Sequence, residues 1–217
     1  AIAPGKRADI VIAPSLEYPL PSKVIINGKL VAENGKYLEE VKPYIPKSVS
    51  GKVNIGDFSK DKLKLKINGK RARVIGVIPG SVVTKNTIES VCTDNDGYFM
   101  YSPDKDIAKI AVIERHNGLG NIGVGLIGGY GIKKGAIALS IAHDSHNFIT
   151  VGVSDDEMYL AVKELERIGG GIAVVQNGKV IASLKHEIAG LLSAELNVKQ
   201  MMEELDKIHK LAIDKLG

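Results

Sequence analysis

The sequence has little aromatic material: it contains no tryptophan, and aromatic residues make up 5% of its 217 residues. The densest basic stretch, residues 60–73 (KDKLKLKINGKRAR), contains no aromatic side chain. A nucleic-acid-binding surface is expected to interleave basic with aromatic residues. The formal net charge is only +4, from 29 basic and 25 acidic side chains. We therefore predict no nucleic-acid partner, and interpret the alternation of lysine with apolar residues over 62–67 as a strand with one solvated face.

Long apolar runs and cysteines are also scarce. No run reaches the roughly 18 apolar residues that a membrane-spanning helix needs. The first residues, AIAPGKRADI, lack the charged and then apolar layout of a secretory signal. Cys92 is the only cysteine of the sequence, so an internal disulfide is excluded, and a reducing compartment fits. These absences predict a cytoplasmic protein without a membrane partner.

The composition that remains is that of a globular protein, with 44% hydrophobic and 25% charged residues. Residues 1–45 contain three short apolar runs, and Asn27-Gly28 between the second and third predicts a hairpin turn. Three strands rarely form a stable domain alone, so we expect this segment to extend a sheet supplied by something else. The two prolines within residues 42–47 predict a linker.

From residue 46 onwards the pattern predicts longer strands and two late helices. Ser154 and Glu157 form a capping box, and Gly169–Gly171 ends that helix. A second amphipathic helix begins at Asn197, and a hairpin turns at Asn177-Gly178. The expected fold class is α+β: a short β-sandwich segment, then an α+β domain with a mixed β-sheet and two amphipathic helices. The strand candidates are 72–78, 81–83, 107–113, 136–141, 148–153 and 172–175.

Residues 118–123, GLGNIG, match the spacing of a dinucleotide-binding loop. That motif also requires a helix beginning at the loop and an acidic residue about 20 positions later. The chain instead continues GVGLIGGYGIKKG, which is too rich in glycine for a helix. We therefore interpret these glycines as positions of positive φ or of close backbone approach.

Two polar clusters lie at predicted strand ends: residues 115–117 (RHN) and 143–147 (HDSHN). A histidine beside a carboxylate is a combination that metal sites and proton-transfer sites commonly use. The clusters lack the ligand spacing of a complete metal site, and Ser145 lacks the context of a nucleophile elbow. From the residues alone, a structural polar cluster and an active-site contribution remain open. His186 and His209 stand alone and are predicted to lie at the surface.

Beyond these patterns, the sequence resembles one family. IAPGKRADIVIA (2–13) and KVIINGKLVAENGKY (23–37) are similar to the strands that follow the catalytic barrel of metal-dependent amidohydrolases. Residues 114–153, with DDEMYLAV (155–162) and GGGIAVV (169–175), resemble the C-terminal domain of prokaryotic and archaeal adenine deaminases. The resemblance covers essentially the whole chain.

The resemblance implies hydrolytic deamination of adenine to hypoxanthine and ammonia, in purine salvage, with manganese or iron held in an N-terminal barrel. The barrel ligands are absent from these 217 residues, so we expect this chain to bind no metal and to be inactive by itself. Residues 1–45 would complete the amidohydrolase β-sandwich, and 46–217 would form the deaminase C-terminal domain. The expected partners are adenine, the barrel and a second copy in a homo-oligomer.

The resemblance also implies roles for the polar clusters at the mouth of the barrel. His143, Asp144 and His146 would serve acid/base chemistry or the outer shell of the metal site. Two alternatives remain: a noncatalytic accessory or dimerisation domain, and an independent metallohydrolase centred on the HDSHN motif. The residues expected to contact adenine are Arg115, His116, Asn121, Ser145 and Asn147.

Overall fold

A computed structural model describes residues 2–42, 44 and 47–217. The chain divides into two compact units, residues 1–44 and residues 45–217. Pro43 and Pro46 of the predicted linker lie outside the described residues. None of the helices within the described ranges is long and apolar enough to cross a membrane.

The first unit contains an antiparallel sheet whose strands follow one another in chain order. Asn27 and Gly28 both have positive φ, 50° and 77°, which confirms the predicted hairpin turn. A second such turn, Asn34-Gly35, adds a strand that the sequence reading missed. In the described residues this sheet comprises β1 (Ile10–Ile12), β2 (Lys23–Ile26), β3 (Lys29–Glu33) and β4 (Lys36–Tyr37).

The second unit is built on one large sheet with a helix on each face. In its described part, the strands of this sheet are β5 (Arg71–Gly76), β6 (Lys85–Ser90), β9 (Ile107–Ile113), β10 (Ile122–Gly128), β11 (Ala136–Leu139), β12 (Phe148–Gly152), β13 (Gly171–Gln176) and β14 (Lys179–Lys185). Their order in the sheet is β14-β13-β11-β12-β9-β10-β5-β6, and neighbouring strands are antiparallel except for the parallel pair β10-β5. The predicted α+β class, with a mixed sheet and two helices, is therefore confirmed. A separate small hairpin pairs β7 (Cys92–Thr93) with β8 (Phe99–Met100).

The first helix of this unit begins and ends, and the second helix begins, where the sequence predicts. Helix α1 spans Asp155–Ile168; the Ser154 hydroxyl accepts a hydrogen bond from the Glu157 amide, and Gly169 closes the helix with a φ of 81°. Helix α2 spans Val198–Leu216, and Asn197 and Gln200 form a reciprocal capping box. Each capping group satisfies backbone donors that the first helical turn leaves unpaired.

The alternation of side chains divides the sheet into two apolar faces. On one face Phe148, small residues such as Ala138, and Met158 and Leu165 of α1 form a continuous core. On the other face Val151 and Val174 pack with Ile208 of α2. The alanines allow α1 to approach the sheet closely, because they leave room for its larger side chains.

Two of the predicted strands are wrong. Residues Lys60–Leu63 form a 3-10 helix, because turn hydrogen bonds from Lys62 to Ser59 and from Lys64 to Asp61 curl this segment. Leu63 is thereby fully buried in the α1-side core, so the lysines do not flank a regular strand. Residues 81–83 form no strand, and the edge strand β6 begins only at Lys85.

The glycine-rich stretch holds a strand that the sequence reading missed. Gly118 and Gly120 have positive φ, as expected of a loop. The following residues, Ile122–Gly128, form β10 between β9 and β5. Pairing along both edges compensates for the poor strand propensity of glycine.

Candidate functional site

Strand register brings the two polar clusters to the same end of the sheet. Ile113, the last residue of β9, lies opposite both Ile122, which begins β10, and Phe148, which begins β12. The loop of residues 114–121 and the loop of residues 140–147 therefore leave the sheet side by side. Loops held in this way by paired strands commonly carry functional side chains.

Glu114 fixes the first loop. Its carboxylate accepts hydrogen bonds from the amides of His116 (2.6 Å), Asn117 (2.7 Å) and Leu119 (3.1 Å). The bond from the Asn117 amide, supported by those from the other two amides, lowers the pKa of Glu114. Glu114 was not among the predicted site residues, and its bonds show that it shapes the loop.

Arg115 connects the second loop to the segment after β14. Its side chain is buried, 3% exposed, and its guanidinium donates to the carbonyl oxygens of His146 and, at 2.7 Å, Ala189. The guanidinium carbon lies 5.5 Å from the centre of the Phe148 ring, a cation–π distance. Burial lowers the pKa of Arg115. Gly190 packs against this group, since a Cβ there would lie 3.0 Å from Nη1.

The second loop is held by its own backbone and by the first loop. His146 has a φ of 51°, and its amide donates to the carbonyl of Ala142. The ring Nε2 of His116 lies 2.9 Å from the carbonyl oxygen of Ser145, so Nε2 carries the donated proton. Buried Ser140 accepts from the amide of Gly171 at 2.7 Å and donates to the carbonyl of Gly190.

The two loops, with the segments 48–52 and 189–191, line an open pocket of about 260 Å³. Arg115, His116 and His146 line it. Nδ1 of His146 and the neighbouring Oδ1 of Asn147 are buried without a hydrogen-bond partner in the described part of the protein. Because buried polar atoms are normally paired, these two atoms are exceptions within the described residues.

The remaining predicted residues lie outside that pocket. The side chains of His143 and Asp144 are 88% and 86% exposed, and Nδ1 of His143 contacts the Asp144 carboxylate. The rings of His143 and His146 meet edge to face, 6.2 Å between centroids. Asn121 is exposed, and its carbonyl accepts a hydrogen bond from the Glu114 amide. Among the described residues no three His, Cys, Asp or Glu side chains group as a metal site would require.

His186 corrects one sequence prediction. It follows β14 and is 2% exposed, whereas a surface position was predicted. Its amide extends the β13–β14 pairing by bonding the carbonyl of Gly170. The chain then turns, with the amides of Leu191 and Leu192 donating to the carbonyl of Ile188. No local sequence pattern predicts that turn. His209, in contrast, is exposed on α2 as predicted.

Comparison with known proteins identifies the family. The family model described as the adenine deaminase C-terminal domain matches residues 81–217. "Adenine deaminase 2" of Carboxydothermus hydrogenoformans is 49% identical over 97% of this chain and 37% of the relative. "Adenine deaminase 2" of Desulfotalea psychrophila is 46% identical, and "Adenine deaminase" of Ligilactobacillus salivarius 42%, each over the whole chain and over 38% and 37% of the relative.

These matches define a domain of the adenine deaminase type, and the chain belongs to the adenine deaminase C-terminal domain family. The resemblance drawn from the sequence is thereby confirmed. The chain spans a little more than a third of the length of the curated relatives it matches.

Proposed function

We propose that this chain forms the C-terminal portion of an adenine deaminase, which hydrolyses adenine to hypoxanthine and ammonia in cytoplasmic purine salvage. The observation that carries the proposal is the similarity to adenine deaminases over 97% to 100% of the chain. The division into units at residue 44 supports assigning the first to an amidohydrolase β-sandwich and the second to the deaminase domain. A homo-oligomer is part of the same proposal.

We propose that the exposed polar side chains of the two loops face the substrate site. His143 and Asp144 form a contacting imidazole–carboxylate pair, which can hold or move a proton at Nε2 of His143. His116, Asn121 and Ser145 are also exposed and can donate to or accept from the ring nitrogens of adenine. Arg115, His146 and Asn147 are buried or half-buried, and would act by positioning these loops.

The residues present do not fit a complete metal centre. His143 contacts Asp144, and its ring meets that of His146 edge to face. In the described ranges, however, no three His, Cys, Asp or Glu side chains group as a metal site requires. The proposal therefore places manganese or iron in the preceding barrel and assigns no metal-dependent step to this chain.

The test compares this chain alone with the protein that also carries the barrel, supplied with manganese and assayed for ammonia release from adenine. We expect no turnover from this chain alone. In the longer protein, His143→Ala and Asp144→Ala should each lower kcat/KM by about a hundredfold or more, the scale of a lost proton-transfer group. His209→Ala is the matched control, because His209 is an exposed histidine on α2.

Each alternative predicts a different result. An accessory domain predicts that His143→Ala lowers the melting temperature and leaves turnover near normal. An independent metallohydrolase predicts stoichiometric manganese and ammonia release in this chain alone, both lost in His146→Ala. Either result would replace the proposed function.

A further inference from the structure

The charged and protonatable side chains that line the pocket between the two loops are all basic. Arg115 is permanently cationic, Lys52 is exposed at the rim, and His116 and His146 can accept protons. The other residues around it, Ser48, Val49, Ala189 and Leu191, are uncharged, so no carboxylate lines this pocket within the described part of the chain.

The positive charge of Arg115 lacks an anionic partner. Its guanidinium bonds two carbonyl oxygens, and no carboxylate of the described residues pairs with it. Glu114, its neighbour in sequence, is occupied by three backbone amides of its own loop. A buried arginine without a carboxylate is costly, because carbonyl dipoles offset only part of the lost hydration.

Lys52 is likewise unpaired, since no carboxylate among residues 2–42, 44 and 47–217 lies within ion-pair distance of it. The pocket therefore presents cationic groups from two separate segments of the chain.

We infer that this pocket binds a small oxyanion, a phosphate or a carboxylate group, between Arg115 and Lys52. Guanidinium groups recognise such oxyanions through paired hydrogen bonds, and an ammonium group adds a point charge. Gly190 leaves no side chain over the guanidinium. His116 and His146 line the same pocket.

The inference goes beyond the proposed function, because adenine is uncharged and gives these cations no opposite charge to pair with. The oxyanion has two possible sources: free phosphate, or a carboxylate side chain from the preceding part of the protein. Both would fix the two loops against each other by neutralising Arg115.

The experiment titrates this chain with inorganic phosphate at constant ionic strength, with chloride as the compensating salt, and follows the histidine ring signals by NMR. We expect saturable shifts at His116 and His146, and none at His209. Lys52→Gln should weaken the phosphate affinity at least threefold, whereas the matched control Lys199→Gln, an exposed lysine of α2 without an ion pair among the described residues, should leave it unchanged.

The same titration of the longer protein distinguishes the sources. Shifts that persist there support free phosphate, and shifts seen only in this chain support a carboxylate that occupies the pocket. Shifts that do not saturate, or an equal loss in Lys52→Gln and Lys199→Gln, would overturn the inference. Because this experiment measures phosphate binding, a failure of the inference can be told apart from a failure of the proposed deaminase function.

Discussion

At the scale of single residues, His186 is the clearest source of pH dependence. Both of its ring nitrogens are buried without a hydrogen-bond partner in the described part of the chain. Burial lowers the pKa of His186, and the charge of Glu187 opposes this effect only partly. The unfolded chain therefore binds a proton more readily than the folded one, so stability falls as the pH drops below about 6.5.

His186→Leu should remove this dependence. The substitution replaces two unpaired polar atoms with apolar volume, so we expect the free energy of unfolding to change less between about pH 7 and pH 5 than in the wild type. Urea unfolding at several pH values measures it. His209→Leu is the control, because that histidine is exposed, and it should retain the wild-type slope. Equal slopes in all three proteins would show that His186 is not the titrating group.

Gly171 illustrates how one backbone position can constrain a strand. Its φ is 136°, and an added Cβ would lie 1.9 Å from the carbonyl oxygen of Leu184 on β14. Gly171→Ala should therefore destabilise the fold by about 2 kcal/mol or more, from backbone strain and displacement of β14. Gly123→Ala is the control, because a Cβ there meets no atom within 4 Å. Urea unfolding checks both; similar losses would contradict this account.

At the scale of elements, a buried ion pair joins α1 to the sheet. Lys109 of β9 has a side chain 7% exposed and pairs with Asp155 in the first turn of α1, whose side chain is 24% exposed. Asp155→Ala leaves the lysine charge buried and unpaired, so we expect a loss of about 3 kcal/mol or more. Unfolding in urea measures the loss.

The matched variant for this pair is Lys109→Met. Methionine retains most of the lysine volume without its charge, so the double variant with Asp155→Ala should recover most of the stability lost in Asp155→Ala. A double variant as unstable as Asp155→Ala alone would mean that the contact contributes through packing and not through charge.

The elements differ in how well the local sequence predicts them. Both ends of α1 and the start of α2 were predictable because capping depends on residues three or four apart, such as Ser154 with Glu157. Strand β10 was not, since its glycines gain strand structure only by pairing with β9 and β5. The 3-10 helix at Lys60–Leu63 was missed because burial of Leu63 overrides the local alternation.

At the scale of the whole molecule, the two faces of the sheet are covered unequally. Helix α1 packs across β11, β12, β13 and β14, whereas α2 packs mainly on β13 and β14. Ile75, Ile88 and Val112 lie on β5, β6 and β9, outside the strands that α2 mainly contacts, and are 42%, 58% and 36% exposed. Stability should therefore concentrate in the central strands.

Amide hydrogen exchange should reveal that distribution. Strand β9 is paired on both edges and largely buried, so we expect its amides to exchange only through global unfolding. Strand β6, at the end of the sheet and mostly exposed, should exchange orders of magnitude faster. Mass spectrometry of exchanged peptides measures both, and equal protection would contradict this picture.

The sequence by itself determined the α+β class, both ends of α1, the start of α2, the hairpin turns at Asn27-Gly28 and Asn177-Gly178, and the family. Each of these depends on short-range spacing or on motifs read directly along the chain. It also indicated the two polar clusters, since both follow apolar runs. Only the tertiary structure decided that Arg115, His116 and His146 share a pocket while His143 and Asp144 stay exposed. The physical reason is that strand register and the return of the chain after β14 join residues more than 70 positions apart, as in the bond from Arg115 to Ala189.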